Sequence, residues 1–188
     1  MKLQNNFIYK IIIFGLSFIL ILPAWSYSID DEVLDAKNEL AAAIEGDTTI
    51  DIEKHLRTTA SLAEKGFSFA QVDLGYMYDV GNGVRQDYAK AREWYMKAAS
   101  YNNSDAQGNL GVMYYRGNGV RQDYAKAREW YMKAAKRENP NAQKNLGIMY
   151  SEGQGVRQNY AQAKEWYGKA CDNGLQDGCD EYRRLNIK

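Results

Sequence analysis

The sequence predicts an all-α fold, a solenoid of αα-hairpins, and three observations carry that expectation. Trp94, Trp130 and Trp166 stand 36 residues apart, as do Leu74-Gly75, Leu110-Gly111 and Leu146-Gly147. The loops Gly81-Asn82-Gly83-Val84, Gly117-Asn118-Gly119-Val120 and Gly153-Gln154-Gly155-Val156 keep the same spacing, and Gly81–Ala99 is identical to Gly117–Ala135 at all 19 positions. A period of this length, with helical spacing inside it, is the mark of a repeat array in which each unit buries its apolar face against the next. Only two prolines interrupt the 188 residues, and alanine and tyrosine dominate between the glycine loops.

The elements follow in order along the chain. Residues 1–26 read as a secretory signal peptide: Lys2 and Lys10 give the positive start, Ile11 to Leu22 is almost purely apolar, and Ala24 and Ser26 are small. Cleavage is expected between Ser26 and Tyr27. The apolar run is short for a bilayer span, which takes ~20 residues. The chain from Tyr27 on loses two lysines and keeps every acid, so a formal charge of zero becomes −2. That balance argues against a nucleic-acid partner, which would call for a basic excess.

Residues 27–67 form an eroded unit, with helices expected over 31–45 and 50–65. Asp51, Leu62 and Ala63 lie 36 residues before Asp87, Ala98 and Ala99. Three full units follow, at 68–104, 105–140 and 141–176. In the first, Ala70, Leu74, Met77 and Tyr78 fall on one helical face. Gly81–Gly83 ends that helix, because glycine accepts the left-handed conformation a helix C-terminus needs. Asp87 is placed to cap the second helix, whose face is Tyr88, Ala91, Tyr95 and Ala98. Asn139 followed by Pro140 marks a helix start in the third unit. Residues 177–188 make a final helix that caps the array.

The pattern Ala106-Gln107-x-x-Leu110-Gly111-x-Met113-Tyr114, Gly117-x-Gly119-Val120, Gln122-Asp123-Tyr124-x-x-Ala127, Trp130-Tyr131-x-x-Ala134-Ala135 resembles the Sel1-like repeat, an αα unit related to the tetratricopeptide family. The resemblance spans Phe69–Cys171 closely and Asp30–Lys65 loosely. It implies a right-handed superhelix and a role in protein–protein contact, and no catalysis. Cys171 and Cys179 also resemble the spacing in cysteine-rich secreted members of that family, where a disulfide joins consecutive helices. In an oxidising compartment a disulfide is in any case the default for two cysteines.

Few residues suit chemistry. One histidine, His55, and two cysteines leave little material for a zinc site, a catalytic triad or an iron–sulfur site. The Gly-x-Gly-Val loops lack the Gly-Lys-Ser/Thr of a phosphate-binding loop and join helix to helix. Some cysteine-rich Sel1-like proteins have been proposed to bind or hydrolyse penicillins. A serine β-lactamase needs Ser-x-x-Lys; here Ser61, Ser100 and Ser151 are followed at that spacing by Glu64, Asn103 and Gln154. The tryptophan and tyrosine rows are expected in the core rather than in a ligand cage.

The expected function is therefore an exported, non-enzymatic, monomeric module that binds another protein, with no cofactor, no nucleic acid and no membrane contact after signal cleavage. An envelope adaptor is the first reading. A periplasmic immunity protein that neutralises a delivered toxic effector such as a lipase is the alternative. The units themselves suggest where the partner sits. Phe69–Val80 and Asp105–Arg116 agree at only 6 of 12 positions, while the following second helices are identical. The divergent positions Val72, Tyr76 and Asp79, then Gly108, Val112 and Tyr115, then Lys144, Ile148 and Ser151, recur at i, i+4 and i+7. They form one stripe per first helix, expected to line the concave face. Tyr76 and Tyr115 are the expected anchors, as aromatic residues dominate interface energetics.

Overall fold

The computed structural model describes residues 52–186, all within the compact unit Ala36–Lys188; the signal segment, the Ser26–Tyr27 cleavage site and the helix expected over 31–45 lie outside them. The described residues form eight helices and no strand: α1 Ile52–Glu64, α2 Ser68–Val80, α3 Tyr88–Ser100, α4 Ser104–Arg116, α5 Tyr124–Ala135, α6 Pro140–Glu152, α7 Tyr160–Asp172 and α8 Gln176–Asn186. α2–α3, α4–α5 and α6–α7 are the three hairpins; α1 packs on α2 before them and α8 on α7 after them.

The turns form for the reasons the sequence suggests. Gly81, Gly117 and Gly153 follow α2, α4 and α6 with φ of 78°, 78° and 74°, and each amide donates to the carbonyl four residues back. Asp87 then caps α3, its carboxylate accepting from Ala89 N and Lys90 N at 3.0 and 3.1 Å. Asp123, Asn139 and Asn159 cap α5, α6 and α7 in the same manner. Such caps contribute about 1 kcal/mol each. The glutamine of each loop adds a clamp that sequence reasoning did not anticipate. Gln86, Gln122 and Gln158 donate from Nε2 to the carbonyls of Asp79, Tyr115 and Ser151 at 2.7–2.8 Å. Each of these amides also reaches the hydroxyl of the tyrosine two residues on.

The core does not sit inside each hairpin alone. It lies largely between the second helix of one unit and the first helix of the next: Ala91, Tyr95, Ala98 and Ala99 of α3 pack with Ala106, Leu110 and Met113 of α4. The same arrangement recurs one unit on with Ala127, Tyr131, Ala134, Ala142, Leu146 and Met149. Within the hairpins, the rings of Tyr95, Tyr131 and Tyr167 lie against Gly75, Gly111 and Gly147. A Cβ on any of the three glycines would stand 2.4–2.7 Å from a ring carbon. The glycine is what lets the aromatic lie between the paired helices.

The tryptophans differ from expectation in degree. They pack between units, each on the cluster before its own helix: Trp94 against Leu62, Ala63, Ala70 and Leu74, Trp130 against the α3–α4 cluster, Trp166 against the α5–α6 cluster. They are half-buried, however, whereas Tyr95, Tyr131 and Tyr167 are at most 1% exposed. Lys97, Lys133 and Lys169 lie over the open tryptophan faces at 3.7, 4.0 and 4.3 Å. One turn later, the ammonium group covers the ring face that the neighbouring unit leaves open.

Candidate functional site

The first helices α2, α4 and α6 carry the divergent stripe, and the structure distributes its members unevenly. Val72 packs on the α3–α4 cluster, and Val112 and Tyr115 pack on the α5–α6 cluster. The Tyr115 ring meets Tyr124 edge-on at 5.3 Å and Tyr131 at 6.5 Å, and its hydroxyl bonds to Gln154 of the next loop. Burial pushes its hydroxyl pKa up, with Glu152 adding to the shift. Tyr115 therefore ties two units together, and a truncation there would disturb the array itself. Tyr76, its companion in the sequence reading, is 54% exposed and stands one turn from Val80, which is 47% exposed.

The third unit's stripe is also engaged. Lys144 Nζ bonds to Asp177 of α8 at 2.9 Å, a link from the last full unit to the capping helix. Ser151 lies 3.4 Å from the Tyr167 hydroxyl and donates to the Ile148 carbonyl. Ile148 is half-buried. Gly108, in the middle unit, would hold a Cβ with nothing nearer than Asn139 Oδ1 at 3.8 Å.

Asp79 occupies the stripe position of Tyr115 and Ser151 but makes no equivalent bond. Its Oδ1 is buried without a hydrogen-bond partner, and so is the hydroxyl of Tyr95. Desolvation raises the Asp79 carboxyl pKa above its ordinary value, and Arg116 only partly counters it. Desolvation also raises that of Asp73, with His55 opposing and Asp105 adding to the shift. The folded state thus holds these protons more tightly than the unfolded chain. By linkage their ionisation costs stability, a cost absent below the ordinary carboxylate range and complete above the raised values. Asp79→Asn is accordingly expected to raise the melting temperature at neutral pH. The gain should shrink as pH falls through the raised value, where the parent carboxyl is already neutral. Thermal melts of both proteins across that range check it; a variant that melts lower at neutral pH contradicts it.

Cys171 lies in the last turn of α7 and Cys179 in α8; the two are joined by a disulfide, with Cα atoms 4.5 Å apart. Closing so short a loop is worth about 2–3 kcal/mol by the chain-entropy estimate. The bond clamps a helix whose other holds are few, as only Gly178 of α8 is fully buried. The equivalent pairs at the preceding boundary are Ala135 and Gln143, and there Gln143 Nε2 donates to the Ala135 carbonyl at 3.3 Å. A hydrogen bond in one unit thus becomes a covalent bond in the next.

His55 is half-buried on α1. No group of three or more His, Cys, Asp or Glu side chains among the described residues is placed to hold a metal ion. No described helix is long and apolar enough to cross a membrane.

These features define a class, the αα-hairpin solenoid whose paired helices close on a glycine–tyrosine contact and are joined by a capped loop. The Sel1 repeat matches three times, over residues 68–102, 104–139 and 140–175, and the chain belongs to that family. A protective antigen of uropathogenic Escherichia coli with this fold is 38% identical, with a TM-score of 0.71 over 80% of this chain and 32% of its own. A Sel1 repeat protein of Oxalobacter formigenes is 26% identical, with a TM-score of 0.72 over 82% of this chain and 64% of its own. The Helicobacter pylori cysteine-rich protein B is 28% identical, with a TM-score of 0.55 over 72% of this chain and 97% of its own. The chain thus spans about a third of the first and under two thirds of the second. A search of the curated proteins finds no match.

Proposed function

We propose that the protein is an exported, non-enzymatic adaptor that holds another protein against its row of first helices, centred on α2. The observation that carries this reading is the adjacent exposure of Tyr76 and Val80 on a first helix whose divergent positions contrast with the identical second helices of the first two units. An exposed tyrosine on a rigid helix is an inexpensive anchor, since few rotatable bonds are lost on binding. Membership in an interaction-repeat family and the Cys171–Cys179 disulfide, which suits an oxidising compartment, support the partner and the export.

The test places a photo-crosslinking amino acid at position 76 or 80, and for comparison at Lys90 or Lys126 on the second helices. A defined adduct is expected from the first pair of positions. Tyr76→Ala is expected to weaken binding of the captured protein by ~1–3 kcal/mol without altering the melting curve. Adducts formed only from Lys90 and Lys126, or unchanged affinity after Tyr76→Ala, overturn the first-helix surface. The captured protein also separates an adaptor from an immunity role, the latter requiring a toxic effector. Export is checked by intact mass: material that retains Met1–Ser26 on the membrane contradicts it.

A further inference from the structure

A second surface is built into the other row of helices, where the first and second units meet. The C-terminal turns of α3 and α5 flank a cleft of about 620 Å³, lined by Met96, Ala99, Trp130, Lys133, Lys136 and Arg137 and floored in part by Gln107. It is an open notch rather than an enclosed cavity. Three cations line it and no acid does. Among the described residues Lys133, Lys136 and Arg137 form no salt bridge, and Lys133 is held over the Trp130 ring.

The comparison with the neighbouring boundaries shows that this is not a consequence of the repeat. At the preceding one the corresponding cleft contains Glu64 with Lys97, and the positions of Lys136 and Arg137 are taken by Ser100 and Tyr101. At the following one those positions are Asp172 and Asn173. The floor differs as well. Gln71 and Gln143 each donate to the carbonyl of the unit before, Ala63 and Ala135, and Gln143 Oε1 accepts from Asn173. Gln107 is 4% exposed and its Oε1, like that of Gln71, has no partner, but it makes no bond to the Ala99 carbonyl to match those its two counterparts make. A buried amide oxygen without a partner costs stability. Turned over, the same side chain offers Nε2 to an anion in the cleft.

The helix C-termini oppose an anion, but weakly. Each contributes about half a negative charge, so α3 and α5 together offset roughly one of three positive charges. The remaining field favours a carboxylate or phosphate, and Met96 and the Trp130 ring favour an apolar group beside it. Met96 is 47% exposed. A lipid surface suits the site poorly. Glu93, Glu129 and Glu138 are exposed on the same helices and loop, and the chain's formal charge is zero. A plane of anionic headgroups would meet those carboxylates, whereas a single chain segment entering the notch need not.

We propose that this cleft is a docking site for an acidic segment of a protein partner, in which carboxylates engage Lys136, Arg137 and Gln107 and an adjoining apolar side chain rests on Met96 and Trp130. The site opens between the second helices α3 and α5 with Gln107 of α4 at its floor, and does not depend on the exposed Tyr76 and Val80 of α2.

The experiment titrates the mature protein into a fluorescein-labelled peptide of alternating glutamate and leucine and follows anisotropy, beside the glutamine version of the peptide and vesicles rich in phosphatidylglycerol. The glutamate peptide is expected to bind, more weakly as salt rises. The double variant Lys136→Glu/Arg137→Glu is expected to weaken binding about tenfold or more. Arg121→Glu/Arg157→Glu, which changes the net charge equally at two exposed loops, is expected to leave it within about twofold. Gln107→Leu is expected to weaken binding several-fold while its melting temperature holds or rises. Equal binding of the two peptides, equal loss in the two double variants, or no peptide binding overturns the site. Vesicle binding that depends on Lys136 and Arg137, without peptide binding, overturns the occupant in favour of a membrane.

Discussion

Gly111→Ala is expected to destabilise the array by about 2–3 kcal/mol, and Gly108→Ala, three residues away on the same helix, to stabilise it by about 0.5–1 kcal/mol. Both glycines lie inside α4, where alanine is the better helix former, so propensity alone predicts a gain at each. The surroundings separate them. A Cβ at Gly111 would stand 2.4 Å from Tyr131 Cδ1 and 2.5 Å from Cε1, with Cγ at 3.1 Å. The contact is with the body of a ring that is 1% exposed and touches three helices, so the ring cannot swing away. Relief requires α4 and α5 to part, which opens the packing on both sides. At Gly108 the nearest atom is 3.8 Å away, an ordinary contact. Urea melts of the two variants check the pair. Opposite signs are expected; two gains would mean that the glycine–tyrosine contact does not set the helix spacing. Since a domain of this kind is stable by only ~5–15 kcal/mol, the loss at Gly111 is a large share. In a solenoid the loss falls on the intrinsic stability of the second unit, which is expected to melt ahead of its flanks.

The period, the hairpins, the loop glycines and the caps Asp87 and Asn139 were legible because each rests on local chemistry repeated at a fixed spacing. Several features were not. Trp130 and Tyr131 are neighbours on one helix, and a helix that packs on both its hairpin partner and the adjacent unit has two apolar faces. Periodicity marks both residues as inward and cannot rank them. The stripe on the first helices was visible as divergence, but divergence does not distinguish a residue that faces solvent, as Tyr76 does, from one that fits its own neighbour, as Tyr115 does with Gln154. The cationic cleft was hidden for a third reason. Lys133 and Lys136 read as basic residues complementing a helix C-terminus, which the last turn of α5 satisfies. Their convergence with Gln107 and Met96 exists only once two units stack. Glu138, whose φ is 60°, was equally silent. It occupies the left-handed position that glycine holds at Gly66 and Gly174, a demand of the turn that a glutamate does not announce.

Tyr131→Ala is expected to cost about 3–5 kcal/mol, and Trp130→Ala less, about 2 kcal/mol, although tryptophan is the larger side chain. Tyr131 is 1% exposed, lies over Gly111 and packs with Ala127, Ala142, Leu146 and Met149. Its removal leaves a void bounded by the backbones of α4, α5 and α6, none of which can close in while the other two hold the spacing. The full cavity penalty therefore applies. Trp130 is half-buried, with one face on the α3–α4 cluster and the other under Lys133. Truncation there opens a surface groove that water fills and forfeits mainly the transfer energy of one ring face plus the cation contact, worth ~0.5–1 kcal/mol at an exposed site. The order, rather than either value, is the discriminating result, because the identical helices α3 and α5 let it be repeated with Tyr95 and Trp94. Chemical denaturation followed by far-ultraviolet circular dichroism reads all four variants. The tyrosine variants are expected to fall below the tryptophan variants in both units. A larger loss for Trp130→Ala would instead place the main cohesion between units at the tryptophans, and make the boundary cleft they line a structural seam rather than an available surface.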